Sequence, residues 1–204
     1  MIIDLKYLIE KYKLNLNGVL HIGAHAGGEY ELYKELNLKS IILIEPQPNI
    51  FERLKSNVKD DSAILINCAI GNFNGKTEMW TSENDENGTS SILEPNIYKE
   101  QYSYLPLNKK IEVDVKKVDD LDIPKVNFIN IDVQGYELEA LKGAEQYLEN
   151  VDYIMSEVNT AEIYSNSALI GDLDEFLSKF GFKRVETNMC GGNWGDAFYL
   201  KQIN

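Results

Sequence analysis

The sequence predicts an α/β fold: a mostly parallel sheet with helices on both faces. Three observations carry the prediction. From Val19 to Ile70, continuous apolar runs alternate with segments of helical spacing, the rhythm of a parallel sheet. The first run enters a glycine turn at Gly23, and a helical segment follows it. The rhythm resumes at Val126 and ends on two strand-like runs joined by the glycine-rich stretch Cys190 to Gly195, which reads as an antiparallel hairpin.

In order, Leu5, Leu8, Ile9 and Tyr12 share helical spacing, so Asp4 to Lys13 reads as an amphipathic lead-in helix covering one edge of the core. Val19 to Ile22 is the first strand. Glu29 to Leu36 is a helix with Tyr30, Tyr33 and Leu36 on one side. Ser40 to Ile44 suits a strand buried on both faces, stopped by Pro46 and Pro48. Ile50 to Val58 is the next helix, and Ala63 to Ile70 is a third strand ended by Gly71. The pattern then changes. Lys76 to Thr81 and Ile111 to Val115 alternate as half-exposed strands, with a long polar loop from Ser82 to Ser91 and an aperiodic stretch from Glu94 to Leu107 between them. Residues 72–117 therefore read as an insertion of short strands and a loop, and such loops are uncommon without a task. Val126 to Ile131 is a strand ended by Asp132. Gln134-Gly135 turns the chain into a helix from Glu137 to Leu148. Val151 to Val158 is the next strand, and Leu173, Phe176, Leu177 and Phe180 mark a helix closed by Gly181. Phe182 to Glu186 and Ala197 to Leu200 are the last strands. No linker or repeat interrupts the chain, so 1–204 reads as one domain, with 1–17 as an N-terminal helical lead-in.

At 204 residues, 44% of them hydrophobic, the chain is long enough for one packed core and too apolar for wholesale disorder. A net charge of −13 argues against a phosphate-tracking surface, so no nucleic-acid partner is expected. Cys68 and Cys190 lack metal or redox spacing. The first residues carry charges throughout, unlike a signal peptide. No stretch approaches the roughly 18 apolar residues of a membrane span. A soluble, cytoplasmic protein is the expectation.

The stretch Gly18 to Glu31 organises the rest. A strand, a tight turn and a helix start place backbone N–H groups and a helix dipole where an anionic group is held. In a wound sheet this lies at the carboxyl ends of the strands, where ligands bind. Two cofactors suit such a turn, a dinucleotide and S-adenosylmethionine. The dinucleotide fingerprint G-x-G-x-x-G needs a second glycine where the backbone meets the pyrophosphate. The run is Gly23-Ala24-His25-Ala26-Gly27-Gly28, so His25 occupies that position. Glu45 ends the second strand, 22 residues after Gly23, where an acid accepts from both ribose hydroxyls of either cofactor. A terminal hairpin after the fifth parallel strand is the usual finish of the class I methyltransferase fold, and a dehydrogenase needs a substrate domain that this length barely allows. S-adenosylmethionine is therefore the favoured cofactor.

The segments VLHIGAHAGGEY, IEPQPNIFERLKSN, CAIGNFNGKTEMW, GTSSIL and FINIDVQGYELEALKGA, followed by MSEVN, occur in that order. In this ordered set the chain resembles the FkbM-type S-adenosylmethionine-dependent methyltransferases, from Gly18 to Leu200. The family's fourth-strand motif is I-D-V-E-G-x-E, and Gln134 stands where its glutamate would be. The resemblance implies a Rossmann-like class I methyltransferase fold: a seven-stranded, mostly parallel sheet, an antiparallel C-terminal hairpin and a small β insertion. It implies O-methylation of a hydroxyl on a sugar, glycan or other small molecule. It further implies that Gly23 and its neighbours hold the methionine part of the cofactor, Glu45 the ribose, and Cys68, Ala69 and Ile70 the adenine edge, with Asp132 beside the methionine amine or the transferring methyl.

Methyl transfer is a displacement that needs in-line positioning, and an alcohol nucleophile needs a base. The candidate bases are Asp132, Glu157 at the end of the fifth strand, and His25, which equally suits packing on the cofactor or capping the helix. The expected cofactor shell is His21, Gly23, Ala24, His25, Gly28, Glu29, Glu45, Pro46, Cys68, Ala69, Ile70, Ser90, Ser91 and Asp132. Glu157, Asn159, Trp194 and Asp196 are the expected acceptor contacts, Trp194 by stacking on a sugar face. No metal site is assigned. A nicotinamide-dependent reductase and a non-catalytic cofactor-binding module are the alternative readings.

Overall fold

The computed structural model describes residues 2–59, 63–82 and 88–202. Part of the expected polar loop, 83–87, lies outside the described residues. Helix α1 (Leu5–Tyr12) opens the chain, and the Asp4 carboxylate caps it by accepting from the N–H groups of Lys6 and Tyr7. There follow β1 (Gly18–Ile22), α2 (Tyr30–Glu35), β2 (Ser40–Ile44), α3 (Pro48–Asn57) and β3 (Ala63–Ile66). Pro48 sits in the first turn of α3, where its missing N–H has no intrahelical partner to lose. The middle of the chain holds β4 (Ala69–Ile70), β5 (Gly75–Thr81), α4 (Tyr98–Gln101) and β6 (Lys109–Lys116). The rest is β7 (Phe128–Ile131), α5 (Glu137–Lys142), β8 (Tyr153–Asn159), α6 (Ile170–Ser178), β9 (Phe182–Cys190) and β10 (Trp194–Lys201).

Seven strands form one sheet in the order β3-β2-β1-β7-β8-β10-β9. Its pairs are parallel except those of β10, which runs antiparallel to both β8 and β9. The strand order reverses between β1 and β7, which opens a crevice at the carboxyl ends there. Both faces of the sheet are covered, and this explains the unbroken apolar runs. One face buries Leu20, Ile22, Ile42, Ile44 and Ile129 against Ala140, Leu141, Leu173 and Leu177 of α5 and α6. The other buries Val19, Leu43, Phe128 and Phe198 against Tyr30, Tyr33 and Leu54. Leu5 and Leu8 of α1 join that second cluster, so α1 covers a face and not the expected edge.

Several boundaries differ from expectation. The third strand divides, because the Asn67 amide donates to the carbonyls of Glu45 (2.8 Å) and Pro46 (3.0 Å) and turns the chain out of the main sheet. Ala69–Ile70 then pairs with β6 in a second sheet, ordered β4-β6-β5. The aperiodic stretch contains the short α4. The expected long helix from Glu137 stops at Lys142 and continues as a 3-10 turn, Tyr147–Asn150. Gly143 packs so closely on Gly71 that a Cβ would stand 1.9 Å from its carbonyl oxygen. The last two strands are longer than expected, leaving Gly191, Gly192 and Asn193 as the connection. Cys68 and Cys190 are free thiols. Among the described residues no helix is long and apolar enough to cross a membrane.

Candidate active site

The glycine turn brings three strand ends together. Gly23 adopts a φ of +83°, and a Cβ there would lie 1.9 Å from the Asp132 carbonyl oxygen. Both facts require glycine. The Asp132 N–H donates to the Ile22 carbonyl at 3.0 Å. The N–H groups of Gly23 and Ala24 both donate to the Ile44 carbonyl at 2.9 Å, and the His25 N–H donates to Glu45 Oε2 at 3.0 Å. These three N–H groups therefore tie the turn to β2, which corrects the expectation that they face an anion. Helix α2 starts only at Tyr30 and has six residues, too short and too late to supply the expected dipole.

Beside the turn lies a cavity of about 270 Å³. Every expected cofactor residue except Ser91 lines it: His21, Gly23, Ala24, His25, Gly28, Glu29, Glu45, Pro46, Cys68, Ala69, Ile70, Ser90 and Asp132. Gln47, Met79, Ile92 and Tyr136 line it as well, none of them anticipated. Ser91 is fully buried and pinned elsewhere. Its hydroxyl donates to the Gln134 carbonyl (2.7 Å) and accepts from the Leu93 N–H, while its backbone pairs with Trp80. His21 borders the cavity, but its ring is held by the Tyr33 hydroxyl at 3.2 Å and the Asn130 amide at 3.4 Å. Burial lowers the His21 pKa, which keeps the imidazole neutral. Glu45 is buried, with each carboxylate oxygen accepting one backbone N–H, from His25 and Gln47. The lining contains three carboxylates, Glu29, Glu45 and Asp132, and no lysine or arginine among the described residues.

A second cavity of about 450 Å³ adjoins the first. Gly88, Asp132 and Gln134 line both, so Asp132 stands at their junction. The second cavity is lined by Glu157, Tyr98, Tyr102, Tyr104, Tyr164 and Trp194. Gln134 connects its polar end. With φ at +56°, it aims its amide nitrogen at Asp132 Oδ1 (2.7 Å) and Glu157 Oε2 (2.6 Å). Its Oε1 accepts from the Tyr164 hydroxyl at 3.0 Å. Burial first, and then the neighbouring Asp132 charge, hold Glu157 well above the usual carboxylate range. A glutamate at position 134 would add a third acid to this pair, whereas glutamine supplies an N–H to each carboxylate.

Two expected acceptor contacts are corrected. The Asp196 carboxylate accepts from the backbone N–H groups of Ile2 and Ile3, so it fastens the N-terminal segment instead of facing the cavity. Asn159 is buried outside both cavity linings, with no hydrogen-bond partner for its side chain among the described residues. Gln134, Glu137 and Tyr164 are the residues that sequence reasoning missed. The departure at Gln134 from the family motif was the one available signal.

Glu137 braces the turn from below, accepting from the N–H groups of Val133 (3.0 Å) and Gly135 (3.1 Å). Burial, then the Asp132 charge, push its carboxyl up to about 7, from an ordinary value of 4.5. The folded state thus holds this proton more tightly than the unfolded chain. The associated stability is complete below the unfolded pKa and is lost as pH rises through 7. Between pH 5 and 8, wild type should lose up to about 3 kcal/mol relative to Glu137→Gln, whose amide oxygen still accepts both N–H bonds. Urea unfolding of both proteins across that range checks this. A pH-independent difference would mean that Glu137 is ionised in the fold throughout.

A parallel sheet with this strand order, β10 inserted antiparallel, and an acid-lined cavity at the switch point define a class I methyltransferase. The chain belongs to the FkbM methyltransferase family: the profile of the methyltransferase FkbM domain matches residues 21–184. It is 24% identical over 173 residues to the 2-O-methyltransferase NoeI of Sinorhizobium fredii, covering 79% of this chain and 71% of NoeI. It is 27% identical over 122 residues to the hexuronic acid methyltransferase AglP of Haloferax volcanii, covering 59% of this chain and 47% of AglP. The solved structure of the FkbM methyltransferase from Methylobacillus flagellatus KT matches with a TM-score of 0.58 at 17% identity, covering 91% of this chain and 43% of that one. The chain thus spans under half the length of the last two.

Proposed function

We propose that this protein methylates a hydroxyl of a sugar or glycan with S-adenosylmethionine. The observation that carries the cofactor choice is the lining of the first cavity, three carboxylates without a lysine or arginine among the described residues. A pyrophosphate there would meet only like charge, whereas a ligand with an ammonium and a sulfonium meets opposite charge. This fits the residues present. Glu45 would take the ribose hydroxyls, Cys68, Ala69 and Ile70 with Met79 and Ile92 would enclose the adenine, and Asp132 with the Gly23 turn would face the methionine end. When bound, the cofactor supplies an electrophilic methyl on a positively charged sulfur.

The remaining work belongs to this chain. Asp132, at the junction of the cavities, accepts the proton of the acceptor hydroxyl. Glu157 gives the acceptor a hydrogen-bonding partner, and Gln134 keeps the two carboxyls in register. Tyr102, Tyr104 and Trp194, the aromatic residues of the lining that are not fully buried, offer flat faces to a pyranose ring. His25 lines only the cofactor cavity, which favours packing there over a role as base. The names of the two relatives support a sugar acceptor. Thermal shift with S-adenosylhomocysteine against NADH, followed by labelled-methyl transfer to saccharides, tests the reading. Stabilisation by NADH alone would replace it with the reductase, and cofactor binding without transfer to any acceptor would favour the binding module.

A further inference from the structure

We infer that the acceptor sugar is uncharged or carries an amine, and that the second cavity discriminates against a uronic acid. This rests on the sugar O-methyltransferase reading above and narrows its substrate class.

The cavity's charges are one-sided. Asp132 and Glu157 line it, and no lysine, arginine or histidine does among the described residues. Three neutral donors of the lining are already committed to the protein, and among those that remain the Tyr102 and Tyr104 hydroxyls and the Trp194 indole N–H carry no charge. The Gln134 amide nitrogen serves Asp132 and Glu157. The Tyr164 hydroxyl lies 2.7 Å from the Thr89 carbonyl and 3.0 Å from Gln134 Oε1, both acceptors. The Tyr98 hydroxyl lies 2.9 Å from the Leu105 carbonyl and 3.0 Å from Thr89 Oγ1. A uronate carboxylate would therefore lose its water beside carboxyl and carbonyl oxygens with no lysine, arginine or histidine side chain of the described lining to pair it, an unfavourable way to bury an ion. A neutral pyranose meets the opposite situation. Tyr98 stacks on Tyr164 at 5.4 Å between ring centroids and tilts against Tyr102 at 5.2 Å, and Trp194 packs on the same cluster. The half-buried Tyr102 and Trp194, backed by that stack, suit the C–H face of a sugar ring, with its hydroxyls turned to the acids. An ammonium on the ring would pair with those acids. AglP is named for a hexuronic acid; this chain would sort its acceptors the other way.

The test is labelled-methyl transfer from S-adenosylmethionine to matched pairs, the methyl glycosides of glucose, galactose and mannose against the corresponding methyl glycosiduronic acids, with methyl glucosaminide added. The expected result is kcat/KM at least about 10²-fold lower for each uronide than for its neutral partner, the magnitude of one buried, unpaired charge. Cys190→Lys places a cation on the cavity wall away from the acid pair, and should raise the uronide-to-neutral ratio by about 10-fold or more. Equal or better transfer to the uronides would overturn the inference while leaving the sugar reading intact. No transfer to any saccharide, with S-adenosylhomocysteine still bound, would overturn the sugar reading and this inference with it.

Discussion

Asp132→Asn is expected to lower the rate of methyl transfer by about 10²–10⁴-fold, the usual worth of a positioned general base. The substitution preserves size, and the backbone N–H of residue 132, which donates to the Ile22 carbonyl, is untouched, as is the carbonyl against which Gly23 packs. Folding should therefore be nearly unchanged, and a melting curve provides the control. Two effects combine. The proton acceptor between the cavities is gone, and so is the negative charge that, after burial, helps raise the Glu157 pKa. Glu157 should then ionise at lower pH than in wild type, so the residual activity should show a displaced pH profile. Single-turnover rates across pH, with S-adenosylhomocysteine affinity measured in parallel, separate the base from a binder. A rate within a few-fold of wild type would remove Asp132 from the proton transfer. A loss confined to cofactor affinity would make it a binder only.

Glu45→Ala is expected to weaken S-adenosylhomocysteine binding by about 10²-fold or more. Each charge-assisted hydrogen bond to a ribose hydroxyl contributes about 1.5–3 kcal/mol, and two are lost together. The side chain also receives the N–H groups of His25 and Gln47, so its removal leaves two backbone donors without their acceptor at the cavity rim. Glu45→Gln separates these contributions, since its one amide oxygen can keep only part of the bracing. Calorimetry should rank wild type, glutamine and alanine in that order. Unchanged affinity in the alanine variant would take Glu45 away from the ribose.

Glu45 and Asp132 were legible because each ends an apolar run at a fixed offset from the glycine turn. Strand ends in a parallel sheet converge on one edge, so a one-dimensional rule found them. Gln134 shows where such rules stop. Its bridge to Glu157 exists only because β7 and β8 are neighbours, and its reach depends on a left-handed backbone at the turn. Asp196 failed as an acceptor contact for the complementary reason. Its partners, Ile2 and Ile3, lie at the other end of the chain, and nothing local announces that meeting. Ser91 was placed in the right segment, but its hydroxyl turns to the Gln134 carbonyl and not to the cavity. Glu137 reads in the sequence only as the start of a helix, and the fold buries it beneath the turn.

The sequence by itself determined the parallel sheet, the glycine turn at its switch point and the acids that end its strands. Those features follow from local periodicity, from glycine's unique access to the Gly23 conformation and from continuous apolar runs that need cover on both faces. Only the tertiary structure decided which acids face a ligand, which brace the turn and which fasten the N-terminal segment. It also decided that the second cavity is aromatic and carries acids without a basic side chain among the described residues. Burial and the pairing of distant segments set those outcomes, because a carboxylate's role depends on the donors and charges that folding brings within a few ångströms of it.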